Sequence, residues 1–453
     1  MAKKEFDVVI VGAGFAGCLM ARDLAANGFS VGLYEAMPAG KPLKPLIIEM
    51  ERSIFDRVGL PQPTGDEIPY HPALLRALSP RGRVGFTLEN TNMPVAVYQD
   101  RQVEKICNMA VKAGAKYFTG HAATGPVVED GRVTGVSFHT GRGRVQTVGA
   151  RLVVDASGFN AALVRRLPVS MGFNFPEGEN HVLVAENRLH KIDVEKARAA
   201  VARGVHGDDE LWARFGNYGA YSTVFSFLST KAERAYILIG YKRGASDMTA
   251  DINRFRESQG YYAGEICGGR GFIRIHHSLD RLVADGFMVV GEAACMVIPV
   301  NGSGAASALY AGQLASQTAS VALEAGDLST KALWPYAAAY QQSRGRILAA
   351  LDVSRLVIDK FSSEQVGSMI EDGLMTAEEL DNTNKLRAPG KIRARSIPGR
   401  LRALVKNPEM APRLVGMGLR LVKVLEHYKK YPATYDPRAF ESWRARSSKL
   451  FDM

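Results

Sequence analysis

The stretch FDVVIVGAGFAGCLMARDLAANGFSVGLYEA, residues 6–36, carries the main signal of fold class in this chain. Its apolar run at 8–11 predicts a buried strand, and the spacing Gly12-x-Gly14-x-x-Gly17 predicts a tight turn that opens a helix. A second apolar run after the helix predicts another strand. Strand, glycine-rich turn, helix and strand in this order indicate an α/β fold with a parallel sheet.

The same residue types favour a dinucleotide as ligand. The first glycine allows the tight turn, the second lets the backbone approach a pyrophosphate, and the third lets helix and strand pack closely. Free N–H groups at the helix start then bind the phosphates. Glu35 ends the second predicted strand, where a carboxylate accepts hydrogen bonds from the ribose hydroxyls and disfavours a 2′-phosphate. The pattern leaves NAD and FAD both open.

Composition describes an ordinary globular chain. Its 453 residues suggest two or three domains, and 46% hydrophobic with 23% charged residues gives no sign of bulk disorder. The four cysteines form no CxxC pair, so we expect no metal cluster, no redox disulfide and a reducing, cytoplasmic compartment. An uncharged apolar run of about 20 residues is missing, so we expect no membrane-spanning helix.

Charge is concentrated in the last part of the chain. Residues 381–453 hold 17 Lys and Arg against 6 Asp and Glu, which equals the net charge of +11 of the whole chain. A basic tail on a neutral body predicts an anionic partner, such as the surface of a membrane, to which the protein would bind peripherally. Nucleic acid is not expected, because basic and aromatic residues do not alternate and no known module is present.

Three patterns describe this C-terminal region. Thr376 and Glu379 have the spacing of a capping box. Residues 384–406 are interrupted by Pro389-Gly390 and Pro398-Gly399 and are predicted to be more loop than helix. Residues 409–430 predict an amphipathic helix, which either lies on an anionic membrane or packs on the protein itself. Its apolar face would hold Leu414, Met417, Leu421, Val424, Leu425 and Tyr428; its basic face would hold Arg413, Arg420, Lys423, His427 and Lys430.

The middle of the chain separates FAD from NAD. Residues 125–140 predict a hairpin with Asp130-Gly131 at its turn, and the next strand ends in Asp155-Ala-Ser-Gly158. A three-stranded β-meander that returns to the parallel sheet is unlike a plain nicotinamide-binding domain. With these motifs, most of residues 5–320 resembles the geranylgeranyl reductase family of flavoproteins, in the para-hydroxybenzoate hydroxylase-like superfamily.

The resemblance implies a fold and an FAD site. The expected fold is a glutathione-reductase-like FAD-binding Rossmann domain with a β-meander (1–167 and 276–330), an antiparallel-sheet substrate domain (168–275) and a C-terminal helical, basic extension (331–453). In GEAACMVIPVNGSGAASALYAGQLAS (291–316), a helix N-terminus is expected at the flavin's pyrimidine edge. The implied FAD-binding residues are Gly12, Gly14, Gly17, Glu35, Arg101, Asp155, Gly158, Glu292, Pro299, Gly302 and Gly304.

The chain also departs from the family pattern. The family's usual aspartate is replaced by Glu292, which is one methylene longer. Many family members place a cysteine after the second strand, close to the flavin, whereas this chain has the polar residues Lys41, Lys44 and Glu49 there. We therefore expect the role of that thiol to be filled differently or to be absent.

The substrate domain provides candidates for a pocket and for catalysis. Aromatic residues alternate around 218–227 and give Tyr218, Tyr221, Phe225 and Phe227 as candidates for the pocket wall. Such alternation in a strand is more often typical of ordinary core. His276 and His277 precede the turn at 278–286, where one of them could donate a proton at neutral pH. Paired histidines in a loop are otherwise mostly solvated.

These observations predict an FAD-dependent oxidoreductase that transfers a hydride to a carbon–carbon double bond of an isoprenoid or another apolar molecule. No metal cluster is expected, and electrons would come from an external donor: NAD(P)H, ferredoxin or a quinol. An alternative is a monooxygenase or a halogenase of the same superfamily, although the isolated Trp212, Trp334 and Trp443 lack the halogenase Trp-x-Trp pattern. A second alternative is a non-catalytic lipid carrier, which would purify without flavin.

Overall fold

The computed structural model describes residues 4–40, 45–89, 93–140, 143–388 and 397–452. Lys41, Lys44 and the pair Pro389-Gly390 lie outside these ranges. The first strands are β1 (Lys4–Val11), β2 (Val31–Tyr34), β3 (Ile47–Met50), β4 (Leu74–Leu78), β5 (Val84–Glu89), β6 (Val95–Tyr98), β7 (Lys116–Phe118), β8 (His121–Glu129), β9 (Arg132–Thr140) and β10 (Val145–Asp155). The later strands are β11 (Val182–Ile192), β12 (Glu210–Phe215), β13 (Ser222–Ser229), β14 (Arg234–Lys242), β15 (Tyr262–Arg274), β16 (Val283–Ala284) and β17 (Phe287–Val289).

The helices alternate with strands in the first half of the chain and fill its last third. They are α1 (Phe15–Ala26), α2 (Ser53–Arg57), α3 (Gln99–Lys112), α4 (Val194–Ala202), α5 (Met248–Gln259), α6 (Ala305–Glu324), α7 (Thr330–Tyr340), α8 (Arg346–Ile358), α9 (Ser363–Glu371), α10 (Ala377–Asn384), α11 (Ile397–Lys406), α12 (Ala411–Lys429) and α13 (Pro437–Phe451). None of the described helices is long and apolar enough to cross a membrane.

The first sheet has the order β16-β17-β10-β1-β2-β7, and β8 and β9 extend it from β10. Strands β17, β10, β1, β2 and β7 run parallel to one another, so their carboxyl ends meet at one edge of the sheet. At this edge Val11 pairs with Tyr34 and with Asp155, and Asp155 pairs with Val289. The loops that follow these four strands therefore converge, as is typical of a ligand site in an open α/β sheet.

The β-meander predicted from the sequence is present. Strands β8, β9 and β10 are antiparallel neighbours, and Asp130 and Gly131 turn the hairpin with φ of +49° and +76°. Helices α1, α3 and α6 cover the sheet. Gly312 of α6 faces the backbone of Ala16, since a Cβ there would lie 3.1 Å from its carbonyl oxygen. The small residues of α6 thus allow two buried helices to pack closely.

The second sheet has the order β15-β11-β14-β13-β12-β4-β5. All its neighbours are antiparallel except the pair β12 and β4. Five of its strands, β11 to β15, lie within the segment 168–275 that is predicted to form the substrate domain. However, the predicted boundaries place all of 1–167 in the first domain, whereas β4 and β5 belong to this sheet because β4 pairs with the edge of β12. The sheet thus has two strands more than its predicted segment supplies.

The C-terminal region packs on the body of the protein. Thr376 caps α10 in the predicted capping box. The prediction of loop over 384–406 is wrong in its second half, because α11 starts at Ile397 and its first turn includes Pro398, a position where proline is tolerated. Helix α12 agrees with its prediction, and Val424 and Tyr428 of its apolar face are fully buried. That face therefore docks on the protein itself.

Candidate functional site

The turn after β1 leaves an open space at the end of the sheet. Gly12 has φ of +104°, and a Cβ there would lie 2.3 Å from the carbonyl oxygen of Ala156. A Cβ on Gly17 would lie 2.0 Å from the oxygen of Gly12, so both glycines are required by packing. A Cβ on Gly14 would meet nothing within 4 Å, and no side chain caps α1 at this residue. The first N–H groups of α1 therefore face space that a phosphate can fill.

Glu35 lies beside this turn and is held by it. Its carboxylate accepts hydrogen bonds from the backbone N–H of Ala13 at 3.0 Å and of Met37 at 2.9 Å. Each oxygen keeps a second lone pair. Glu35 thus fixes the glycine turn and retains acceptors for ribose hydroxyls at the rim of the site.

Asp155 is buried and its hydrogen bonds stay within the protein. Its two oxygens accept hydrogen bonds from the backbone of Ser157, Leu163 and Val164 at 2.8–3.0 Å, and from the Ser157 hydroxyl at 2.6 Å. The side chain shapes the loop after β10. Gly158, in the same loop, has φ of +65° and lines a large cavity.

Glu292 follows β17 and is a half-buried acid that lines the cavity. One oxygen accepts a hydrogen bond from the backbone N–H of Arg274 at 3.1 Å, and the other would lie 3.9 Å from a Cβ on Gly158. Burial raises the pKa of Glu292 to about 7, although the Arg274 backbone and charge oppose the shift. A half-buried carboxyl with one unengaged oxygen is suited to bind hydroxyl groups of a ligand.

The loop before α6 completes this side of the cavity. Gly302 has φ of +79°, and Gly304 precedes α6, which no side chain caps. Both glycines line the cavity, whereas Pro299 lies behind it and accepts a hydrogen bond from the Tyr221 hydroxyl through its carbonyl. The start of α6 thus presents N–H groups to the cavity.

Arg101, the arginine expected to bind the cofactor, contacts other protein groups instead of lining the cavity. Its guanidinium donates a hydrogen bond to the carbonyl of Asp66 at 2.5 Å and lies 4.4 Å from the centre of the Tyr98 ring. It does not line the cavity, whereas Gln99, two residues earlier, does.

A single large cavity joins the residues described above to the second sheet and the C-terminal helices. Its volume is about 1350 Å³. The cofactor end is formed by Gly14, Gly158, Glu292 and the loop before α6. The far end reaches α11 and α12. The wall between these ends is mostly apolar and includes Leu75, Leu211, Phe215, Phe225, Leu238 and Leu374.

The match to a protein family identifies the dinucleotide that the protein binds. A family model described as FAD binding domain matches residues 5–327. The chain belongs to this FAD-binding family. The residues present fit the cofactor, because the open space at Gly14 and the uncapped starts of α1 and α6 accommodate phosphates and a flavin ring. The protein is an FAD-dependent oxidoreductase, as the relatives below also indicate.

Known proteins confirm the resemblance expected from the sequence. A digeranylgeranylglycerophospholipid reductase of Sulfolobus acidocaldarius is 25% identical, over 98% of this chain and 97% of its own length. The solved structure of a geranylgeranyl bacteriochlorophyll reductase-like protein from Thermoplasma acidophilum has a TM-score of 0.69 at 19% identity, covering 91% of this chain and 99% of that chain. A flavin-dependent brominase has a TM-score of 0.60 at 14% identity, covering 90% and 99%. The two solved structures show that the fold is shared.

The four aromatic residues predicted for the pocket wall of this FAD-binding protein divide into two pairs. Tyr221 and Phe225 line the cavity. Phe227 lies on the same face of β13 as Phe225 but is covered by the ring of Tyr70, whose centre is 4.9 Å away. Tyr218 is not among the lining residues and packs against Tyr241 at 5.4 Å. Alternation along a strand identifies a face but cannot show which part of it another element covers.

The two predicted catalytic histidines lie away from the cavity that receives FAD. His277 is hydrogen-bonded to Asp352 at 2.8 Å and stacks on Phe451 at 3.8 Å, and His276 stacks on His277. Burial lowers the pKa of His276, and the neighbouring His277 adds to this shift. Burial raises the pKa of Asp352, but the hydrogen bond with His277 and the charge of Arg355 outweigh it and lower the pKa. The cluster ties α8 and the C-terminus to the body.

The sequence pointed to Glu49 as a polar residue near the flavin, but not to the polar group that it forms with two tyrosines in the cavity wall. Glu49 of β3, Tyr70 and Tyr236 of β14 all line it, and the Tyr70 hydroxyl donates a hydrogen bond to Glu49 at 2.8 Å. The available signal was a lone glutamate within the apolar run LIIEM at 46–50. The pattern at 70 and 236 gives no sign that the two tyrosines meet it, since they are far apart in sequence.

Proposed function

We propose that this protein reduces carbon–carbon double bonds of a polyprenyl lipid, with FAD bound at the end of the parallel sheet in a glutathione-reductase-like arrangement. Bound FAD, once reduced, supplies the hydride. Electrons come from an external donor, because the sequence has one dinucleotide fingerprint. The relatives named as digeranylgeranylglycerophospholipid reductases support the assignment of this reaction.

The observation that carries this proposal is the shape and chemistry of the cavity. Its volume of about 1350 Å³ exceeds the range of about 300–1,000 Å³ usual for small-ligand sites, so it has room for a flavin ring and a long acyclic chain. Apolar side chains of several types, leucine the most frequent, line most of the cavity. Such a wall excludes water and binds an apolar chain without fixing its position, which allows several double bonds to reach one cofactor in turn.

Product analysis tests the proposal. The FAD-loaded protein is reduced with dithionite under argon and incubated with digeranylgeranylglycerophospholipid, and the lipid is analysed by mass spectrometry. We expect the lipid to gain two hydrogens for each reduced double bond, and a saturated lipid to remain unchanged. A product that gains oxygen or a halogen in air would instead identify a monooxygenase or halogenase. Protein that purifies colourless and retains no added FAD would support the lipid carrier.

We also propose that the mouth of the cavity binds to the surface of an anionic membrane. Helices α11 and α12 form this end, and apolar side chains on them are exposed. On α12, Leu419 is 62% and Val422 is 60% exposed, and both line the cavity mouth. This exposed stripe differs from the predicted apolar face of α12, which is buried against the protein. A lipid leaving a leaflet at this point would enter the cavity without crossing water.

Charge on the same helices supports an anionic surface. Arg402 and Lys406 on α11 and Lys423 on α12 are exposed, and they belong to the segment 381–453 that carries the net charge of the chain. Basic residues beside exposed apolar residues are typical of helices that lie in a membrane interface. Attraction to the headgroups would add to the burial of the apolar stripe.

Vesicle binding tests the membrane proposal. Sedimentation with phosphatidylglycerol vesicles is compared with sedimentation with phosphatidylcholine vesicles. The double substitution Leu419→Asp and Val422→Asp should weaken binding to the anionic vesicles at least about tenfold, because two apolar side chains no longer enter the interface. Val321→Asp is the matched control, since Val321 is 68% exposed on α6, outside the cavity. Equal binding of all three proteins would contradict the proposal.

A further inference from the structure

Reduction of a double bond adds a hydride to one carbon and a proton to the other, so the protein must supply an acid. We infer that Glu49 is this proton donor and that Tyr70 positions its carboxyl group. The inference rests on the proposed double-bond reduction.

The backbone holds Glu49 between the two halves of the site. Strand β3 is attached to the second sheet by two hydrogen bonds between Ile47 and the side chain of Asn187, at 2.9 and 3.3 Å. The carbonyl of Glu49 itself accepts a hydrogen bond from the Ser303 hydroxyl at 3.0 Å, in the loop that precedes α6. Glu49 thus lies between the FAD end and the apolar wall, where the reacting carbons have to be.

The carboxyl group of Glu49 is fixed by aromatic residues. The hydroxyl of Tyr70 donates to one of its oxygens at 2.8 Å. The ring of Tyr70 is held between Phe227 at 4.9 Å and Tyr236 at 4.8 Å, all three being nearly fully buried. An acid on such a support keeps a single orientation toward the cavity, as general acid catalysis requires.

Burial favours the protonated form of this acid. It raises the pKa of Glu49, and the hydrogen bond from Tyr70 opposes only part of the shift. The titratable groups that face Glu49 are Tyr70 and Tyr236, whose pKa values burial also raises, so both remain neutral phenols. The other described ionisable residues on the cavity wall are less suited. Glu292 lies at the FAD end, Glu379 is paired with Arg400, and the Tyr221 hydroxyl donates to the Pro299 carbonyl. The remaining ones are exposed: Arg52, His71, Glu378 and Arg387.

A proton and a hydride together saturate the double bond. The π electron pair of the double bond takes the proton of the Glu49 carboxyl group and forms the first C–H bond. The hydride from the reduced cofactor brings the two electrons of the second C–H bond to the neighbouring carbon. The Glu49 carboxylate, stabilised by the Tyr70 hydroxyl, regains a proton from water after the product leaves.

Single-turnover kinetics test the inference. The FAD-loaded, reduced protein is mixed with digeranylgeranylglycerophospholipid under argon, and flavin oxidation is followed. Glu49→Gln should slow it about 10²–10⁴-fold, the usual contribution of a general acid, while Glu49→Asp restores part of the rate. Tyr70→Phe should slow it about 10–100-fold. Glu104→Gln, exposed on α3, and the buried Tyr261→Phe both lie outside the cavity and are controls with unchanged rates and flavin content.

Two readouts separate a chemical role from a structural one. The wild-type rate should fall as pH rises through the pKa of Glu49, Glu49→Gln should show no such fall, and Tyr70→Phe should move it to higher pH. Without lipid, the infrared spectrum of the wild type should contain the band of one more protonated carboxyl group than the spectrum of Glu49→Gln. If the wild type reduces the lipid and Glu49→Gln does so within threefold, the inference is overturned. If the wild type reduces no unsaturated lipid, the proposed function fails instead.

Discussion

A substitution at Gly14 should weaken FAD binding without destabilising the fold. A Cβ on Gly14 meets nothing within 4 Å, and its φ of −86° suits any residue. Serine is also a favourable residue at the start of a helix. The substitution Gly14→Ser should therefore leave the apoprotein as stable as the wild type, within about 0.5 kcal/mol. In the FAD complex the same side chain occupies the space of the pyrophosphate.

The loss of affinity follows from the contacts at this position. A hydrogen bond from a backbone N–H to a charged group contributes about 1.5–3 kcal/mol. Displacing the pyrophosphate from two N–H groups at the start of α1 costs about 3–6 kcal/mol, which raises the Kd for FAD by about 10²–10⁴-fold. Wild-type protein at an FAD concentration of 100 times its Kd gains about 2.7 kcal/mol of stability, and Gly14→Ser should gain almost none.

Thermal unfolding with and without FAD measures both quantities. The control is Gly416→Ser on the exposed part of α12, where a Cβ also meets nothing and which does not line the cavity. The control should retain both its apo stability and the stabilisation by FAD. If Gly14→Ser binds FAD as tightly as the wild type, the site at the end of the parallel sheet does not hold the pyrophosphate, and the reasoning is refuted.

Two further predictions concern buried charges. Because burial raises the pKa of Glu292 from 4.5 to about 7, folded apoprotein holds this proton more tightly than unfolded chain. The free energy of unfolding of the wild type, measured by urea titration, should therefore fall relative to that of Glu292→Gln as the pH rises from about 4.5 to about 7. A difference that stays constant over this range would contradict the prediction. Asp352→Ala leaves the fully buried Arg355 without its 2.7 Å partner and should cost about 3 kcal/mol, whereas Glu195→Ala, at the exposed pair with Arg198, should cost under about 1 kcal/mol.

Local sequence patterns predicted the first sheet well, because its signals lie within short segments. The glycine spacing at 12–17 and the Asp130-Gly131 turn each impose a backbone conformation that few other residues permit. The boundaries of the second sheet were predicted less well. The pairing of β4 with β12 joins residues more than a hundred positions apart, and no local pattern encodes such a pairing.

The candidate site could likewise be predicted only in part from the sequence. Residues in the loops after parallel strands could be placed from the sequence, since the carboxyl ends of such strands share an edge. The role of His276 and His277 depended on which way a turn faces, and the packing of Phe451 from the end of the chain determines that. Glu49 on β3 and Tyr70 in the loop before β4 meet through tertiary packing, so their hydrogen bond became visible only in three dimensions.

The central claim is that reduced flavin passes its electrons to a double bond of a lipid held in the cavity. The most direct measurement is the stoichiometry of a single turnover. FAD-loaded protein is photoreduced without oxygen and mixed with digeranylgeranylglycerophospholipid, and flavin absorbance and lipid composition are measured in the same sample. We predict one double bond reduced for each flavin oxidised, and no oxidation with the saturated lipid. Flavin that stays reduced until air is admitted, with an unchanged or oxygenated lipid, would contradict the account.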